Sequence, residues 1–495
     1  MPIMDEPTSL DPQIADSNSE KLVAANCYEG LVRIMADGTI GKGVATDWNI
    51  SDDGLTYTFK LRNNSHWAMF SGHKAVLGEN YEDTFDITVK AEDFKFGIER
   101  TLSEQTGSAD APLFSAVKSI STPDDFTIVF NLSYADDNFL YALTNPGAMP
   151  CDEEFFNLTN GKYGLDAKYL LCNGPFHVSK WTEKTSVKLV KNNEYNGESS
   201  VSPSSVTFYI NNDDSEVADK MNSVTYDVAF LSSSQFSSIE NKKDLNSVAV
   251  QNVTYSFIFN QNDNNYRNKN MRLAFCRSCD TSSLFDSQSD ISKADGIVPP
   301  SCKIGGEDYR NGNAAELLSY DETLAKKNFN DALLDLGSSS VETTILCTEQ
   351  YEPFVKQMVQ KLQKTLGVKF VSTVKVVSES DLEAAVNDGN YSVAFYPFKA
   401  KSSFAGEIIE GFDQNNIFGY ESDVLSQKIR NIKNNSGSLE GERSAVADAE
   451  NYLVSEAVIM PVFYENSYFV TSKKTSGIYF YSSADNVCFI NAKKS

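Results

Sequence analysis

The stretch from Val341 to Val371 constrains the fold more than any other part of the chain. Val341 to Cys347 is a β-rich run, and a helical pattern follows it from Glu352 to Leu366. Its apolar stripe is Phe354, Met358, Leu362 and Leu366, with Gly367 placed to end it. Val368 to Val371 then opens another strand. Strand, helix and strand within about 30 residues predict a βαβ unit with a right-handed crossover, and so a mixed or parallel sheet.

The N-terminal part has a different character. Leu55 to Leu61 and Phe126 to Leu132 alternate with period two, each behind a turn signal, Asp52-Asp53-Gly54 and Pro123-Asp124-Asp125. Between them Ala91 to Arg100 reads as a helix with Phe94, Ile98 and Leu102 on one face. This predicts a small α+β unit. Gly38 to Gly43 reads as a hairpin turn. An internal echo joins the two halves: Val217 to Asn222 leads into Tyr226-Asp-Val-Ala-Phe230, and Leu382 to Asn387 leads into Tyr391-Ser-Val-Ala-Phe395. Two copies are too few for a solenoid and suit two lobes built on similar α/β plans.

With 495 residues, two or three domains are expected. Against 68 Asp+Glu there are 43 Lys+Arg, a net charge of −25 that disfavours nucleic acid and anionic lipid as partners. No apolar run is long enough for a transmembrane helix. Met1 to Asp11 lacks a basic and an apolar leader region, so the chain is expected to be either cytoplasmic or a form whose export signal has been removed. The eight cysteines are too sparse for a disulfide scaffold. Cys276-Arg-Ser-Cys279 has CxxC spacing without a second pair, which leaves ordinary thiols, a disulfide involving Cys302 or a neighbour, and metal or redox chemistry open.

Catalytic signatures are missing. His66, His73 and His177 lack the spacing of a metal pair on a helix and read as surface or satisfied histidines. There is no GxSxG elbow, no HExxH and no phosphate-binding loop. No cofactor, metal or catalytic residue is expected, and an enzyme is not.

A series of segments running through the whole chain carries a resemblance. It includes Pro7-Thr-Ser-Leu-Asp-Pro12, Tyr28-Glu-Gly-Leu-Val32, Ala45-Thr-Asp-Trp48, Ser51 to Arg62, Trp67 and Val89-Lys-Ala-Glu-Asp-Phe94. Asn173-Gly-Pro-Phe176, Lys191-Asn-Asn-Glu-Tyr195, Arg272-Leu-Ala274, Asp295 to Pro300, Tyr320 to Lys326 and Met460-Pro-Val462 continue it. In this order they resemble the family 5 extracellular solute-binding proteins, the oligopeptide- and dipeptide-binding components of ABC importers.

The resemblance implies a mixed α+β, two-lobed periplasmic-binding-protein-like fold of the class II or cluster C type, with an extra α+β subdomain in lobe I. Lobe I would comprise 1–29, 172–259 and 464–495, its extra subdomain 30–171, and lobe II 260–463. It also implies a ligand cleft. Asp16, Ser17 and Asn18 correspond to a cleft-lining loop, and Asn173 and Gly174 sit where the chain returns to lobe I. Tyr396 and Phe398 follow the second Tyr-x-Val-Ala-Phe strand, and Tyr464 lies at the second crossing. Peptide binders of the best-known type carry an Asp for the peptide ammonium where this chain has Lys401, which opposes a cation. Either another carboxylate, Asp16 or Glu407, takes that role, or the peptide binds differently, or the ligand is not a free-amino peptide. An ungapped placement that is out of step would instead leave Lys401 solvated. The stretch Ala68 to Thr88 is longer than the family pattern and reads as a lobe I surface insertion.

The implied function is capture of an extracellular peptide and its delivery to ABC permease subunits by a monomer outside the cytoplasmic membrane, periplasmic or as a surface lipoprotein. Cys27 lies within the fold and is not the lipid anchor, so the chain is expected to be a mature or trimmed form. Nickel chelates, oligosaccharides and opines are alternative solutes. A surface interaction module is a further option, and a hydrolase the least favoured.

Overall fold

The computed structural model describes all residues other than 36–38, 81–83, 137, 198–199, 282–284, 286–289, 400–403, 414–415, 436–437 and 482–485. The chain divides into two compact units, Met1–Ala249 with Tyr468–Ser495, and Val250–Ser467. The polypeptide therefore passes from one to the other twice.

In the first unit, β1 (Pro2–Ile3) leads to helix α1 (Asn18–Cys27). The chain then forms β2 (Ala45–Ile50), β3 (Thr56–Leu61), α2 (Ala91–Leu102), β4 (Val117–Asp124) and β5 (Thr127–Leu132). Four of these make an antiparallel sheet in the order β2-β3-β5-β4. The alternation read at Leu55 to Leu61 appears as burial of Tyr57, Phe59 and Leu61. Phe94 and Ile98 of α2 are buried as their spacing predicts, but Leu102 is 36% exposed and Gly97 and Thr101 complete the inner face. Gly97 is needed there, because a Cβ would stand 2.3 Å from the Met149 carbonyl oxygen. The hairpin expected at 38–43 pairs Val32–Ile34 with Ile40–Lys42, its Gly38 lying outside the described residues.

The segment 68–88 is anchored in the core, not merely laid on the surface. His73 is fully buried, with ring centroids 4.3 Å from Phe70 and 5.5 Å from Phe155, and its Nε2 meets the Leu170 carbonyl at 3.1 Å. Burial holds this imidazole near pKa 4, so it is neutral at physiological pH.

The chain continues through β6 (Phe176–Thr182), β7 (Ser186–Lys191) and β8 (Ser205–Ile210), which form a sheet closed by β1 in the order β1-β8-β7-β6. Helix α3 (Asp214–Asn222) and strand β9 (Val228–Ser232) follow. The C-terminal residues return to this unit's core, where Phe469, Val487, Phe489 and Ile490 pack with Leu22, Phe176 and Phe208.

The second unit is built on β10 (Leu245–Phe259), α4 (Lys269–Ser278), β11 (Ile291–Lys293), β12 (Val341–Cys347), α5 (Glu352–Leu366) and β13 (Phe370–Val376). Helix α6 (Glu379–Asn387), β14 (Val393–Lys399), α7 (Leu439–Ser455) and β15 (Ile459–Ser472) follow. The predicted βαβ unit is present: β12 and β13 pair in parallel from Val341↔Phe370 to Cys347↔Val376. Strand β14 is parallel to β12 and antiparallel to β10, so the sheet is mixed. The second strand starts at Phe370 rather than Val368, because Gly367 at φ 78° ends α5 and Phe370 N–H turns back to its carbonyl at 3.1 Å. Val368 is left 96% exposed. Of the α5 stripe, Met358, Leu362 and Leu366 are buried, while Phe354 is half-buried against Phe395 and Phe463.

The internal echo is structural as well as textual. Asp213 caps α3 and Ser378 caps α6, each by accepting a backbone N–H of the first turn. The exits match bond for bond: Ser223 N–H to Asp219 and Asp388 N–H to Ala384, then Thr225 N–H to Lys220 and Asn390 N–H to Ala385. Between them Val224 and Gly389 take the left-handed conformation, φ 57° and 67°. Each copy then buries its tyrosine, Tyr226 or Tyr391, and enters its strand.

Candidate functional site

The N-terminal loop of the first unit is organised by one carboxylate, Glu20, 4% exposed. Its Oε1 accepts from Thr8 N–H (2.7 Å), Thr8 Oγ1 (2.8 Å) and Ser9 N–H (3.3 Å). Its Oε2 accepts from Asp16 N–H (3.0 Å) and Ser17 N–H (3.1 Å). Ser17 in turn accepts Glu20 N–H at 3.2 Å, which completes a capping box at the start of α1. Burial pushes the Glu20 carboxyl up, but the donors from Thr8, Asp16 and Ser17 outweigh it, and its pKa is lowered. The same loop is tied to α2: Arg100 donates to Asp11 Oδ2 and to Gln13 Oε1, both at 2.6 Å, with its guanidinium 4.1 Å over the Phe156 ring.

On this frame Asp16 and Asn18 are exposed and Ser17 is half-buried, so the three expected residues form one short surface at the N-terminus of α1. Asn173 and Gly174 stand at the other end of that helix, about 15 Å away for ten residues at 1.5 Å each. Asn173 is 1% exposed, accepting Glu29 N–H at 3.0 Å and donating to the Glu29 carbonyl at 2.8 Å. Gly174 donates to the Cys27 carbonyl at 2.9 Å, and a Cβ there would lie 2.6 Å from the Cys27 carbonyl carbon. These two residues join α1 to β6 and hold the frame of the unit.

In the second unit Tyr396 and Phe398 lie on one face of β14, ring centroids 5.7 Å apart, and Phe398 packs on Phe412 and Phe418. Both side chains are half-buried. Tyr464 on β15 is 2% exposed; its hydroxyl accepts Asp295 N–H at 3.1 Å and lies 3.4 Å from the Gly296 and Val298 carbonyls. Its polar end thus positions the Asp295 to Val298 turn. Lys401 lies outside the described residues.

The structure adds residues that sequence reasoning missed. Glu465, beside Tyr464, accepts from Tyr351 Oη and from Gln350 Nε2 at 3.3 Å. Burial raises its pKa, with Glu379 and Asp290 adding to the rise and the two donors opposing it. Tyr351 belongs to an aromatic cluster with Tyr255, Phe395 and Phe463. A pocket of about 360 Å³ in this unit is lined by Cys276, Cys279, Lys293, Tyr320, Met460 and Val462 among others, and none of the expected ligand residues borders it. The Glu465 contacts have no local sequence motif, and of the pocket only the Cys276-x-x-Cys279 spacing is local; each feature assembles from segments more than 100 residues apart.

The wider kinship of this arrangement is unambiguous. Residues 39–418 match the model of the bacterial extracellular solute-binding proteins, family 5, and the chain belongs to that family. The dipeptide-binding protein DppE of Bacillus subtilis is 24% identical over 496 residues, covering 96% of this chain and 88% of DppE. The probable D,D-dipeptide-binding periplasmic protein DdpA of Escherichia coli is 22% identical, covering 98% and 92%. Among solved structures, Listeria monocytogenes OppA bound to peptide superposes with a TM-score of 0.77 at 20% identity, over 100% of this chain and 98% of that one. The dipeptide-binding protein of Pseudoalteromonas sp. SM9913 in complex with Met-Leu gives 0.78 at 17% identity, over 100% and 99%. The fold is therefore that of the two-lobed periplasmic peptide-binding proteins. No described helix is long and apolar enough to cross a membrane.

Proposed function

We propose that this chain is the solute-binding component of an ABC importer, capturing a peptide outside the cytoplasmic membrane and delivering it to permease subunits. It acts as a non-enzymatic monomer. The observation that carries the reading is that relatives named for dipeptide binding match nearly end to end, not over one shared module. Asp16, Ser17 and Asn18 on the Glu20 frame, and the partly open rings of Tyr396 and Phe398, are the residues we assign to ligand contact. Asn173, Gly174 and Tyr464 support them from the framework. Backbone-directed hydrogen bonds with adaptable side-chain pockets suit a ligand class whose main chain is constant and whose side chains vary.

Mass spectrometry of solute released from the purified protein by denaturation tests this. Peptides are expected. A homogeneous sugar, opine or metal chelate in their place, together with no calorimetric binding of a peptide mixture, overturns it.

A further inference from the structure

The segment that carries the β2-β3-β5-β4 sheet and α2 begins just after Cys27 and ends just before Cys172. The two ends of this segment are held together closely. Gly174 N–H reaches the Cys27 carbonyl at 2.9 Å, Asn173 brackets the Glu29 backbone with both ends of its amide, and Ala68 N–H reaches the Cys172 carbonyl at 2.7 Å. Both cysteines are buried in one core, at 0% and 2% exposure, and Cys172 is close enough to help raise the Cys27 thiol. Of the other cysteines in this unit, Cys151 accepts from Arg100 at 3.6 Å and Cys488 is half-buried on another strand. In the structure all eight are thiols.

We propose that Cys27 and Cys172 form a disulfide in the exported protein, closing the base of the 28–171 segment with a covalent bond. The family works outside the cytoplasm, where disulfides form and persist. The reaction is thiol–disulfide exchange with an external disulfide, either a small molecule or a protein oxidant. One cysteine thiolate attacks a sulfur of that disulfide and expels one thiol, leaving a mixed disulfide; the second cysteine thiolate then attacks the protein sulfur and expels the other. The two cysteines together lose two electrons and two protons, and the donor disulfide becomes two thiols. Burial, with Cys172 adding to it, raises the Cys27 pKa well above the usual thiol range, so little thiolate exists in the folded state. The exchange therefore belongs to folding, before the core closes. Once made, the bond is shielded from reductants by the same burial.

The test uses the whole chain, refolded in an oxidised and reduced glutathione buffer, alkylated, and digested without reduction. A disulfide-linked peptide pair containing Cys27 and Cys172 is expected, lost on reduction and missing from Cys172→Ser. Recovery of both residues as alkylated thiols from oxidised, folded wild type overturns the proposal, as does linkage of either to another cysteine. A second reading needs no variant. Oxidised wild type is expected to show a higher urea midpoint for the first unit than the same protein reduced, and equal midpoints overturn the closure of the segment.

Discussion

Val224 makes a demanding test of the echo between α3–β9 and α6–β14, because a β-branched residue holds the left-handed position that Gly389 holds in the other copy. In an ordinary strand, replacing a half-buried valine by glycine costs about 2 kcal/mol, roughly half from lost burial and half from the added freedom of the unfolded chain. At φ 57° the valine also carries about 1–2 kcal/mol of backbone strain that glycine removes. The terms largely offset each other, so Val224→Gly is expected to cost no more than about 1 kcal/mol. Val129→Gly, half-buried on β5, should lose the full amount. The reciprocal change, Gly389→Val, meets no atom within 4 Å of a new Cβ and should cost about 1 kcal/mol from strain alone. The assay is equilibrium urea unfolding followed by tryptophan fluorescence. All three tryptophans, Trp48, Trp67 and Trp181, lie in the first unit, so the signal reports the unit that holds Val224 and Val129. Circular dichroism follows Gly389→Val. If Val224→Gly loses as much as Val129→Gly, the left-handed turn is not strained and the equivalence of the two exits fails.

Glu20→Gln removes the charge that five donors converge on and is expected to destabilise the first unit by about 2–4 kcal/mol in the same fluorescence assay. Because the folded pKa of Glu20 is lowered, its contribution is complete above the unfolded value near about 4.3 and is lost as pH falls through the folded one; Glu20→Gln should flatten that acid limb. Glu450, 1% exposed, accepts Ile297 and Val298 N–H at 2.6 and 2.9 Å and pairs with Arg310. Glu450→Gln leaves that arginine buried without its counter-charge, and calorimetry should show a loss of about 3–5 kcal/mol in the second unit. Lys401→Asp is expected to tighten binding of free-amino peptides by about tenfold and leave N-acetylated peptides unchanged in isothermal titration. An equal effect on both would remove Lys401 from the ammonium position.

Elements that depend on local pattern were legible. The βαβ unit, α2 and both echo segments follow from periodicity and turn residues, and α5 ends at the glycine placed to end it. Ser17-x-x-Glu20 carries a local signal, the spacing of a capping box, whereas Val224 gives no warning of its positive φ. What sequence could not supply is pairing at long range. Asn173 finds Glu29 across 144 residues, Arg310 finds Glu450 across 140, and Tyr351 finds Glu465 across 114. These contacts decide which candidate side chains are committed to the frame and which are left exposed. Asn173 and Gly174 read alike as ligand positions until their backbone partners are known.

The two crossings also set an order of assembly during synthesis. The second unit is one continuous stretch, 250–467, and has its whole core as soon as that stretch has emerged. The first unit has to wait for residues 487–489, since Phe489 packs on Phe208 and Asn26 donates to the Val487 carbonyl at 2.8 Å across 461 residues. Contacts so distant form slowly and cannot form before residues 487–489 have been synthesised. The N-terminal half therefore leaves the ribosome without the last part of its core, and remains incompletely packed until residues 487–490 have emerged and docked.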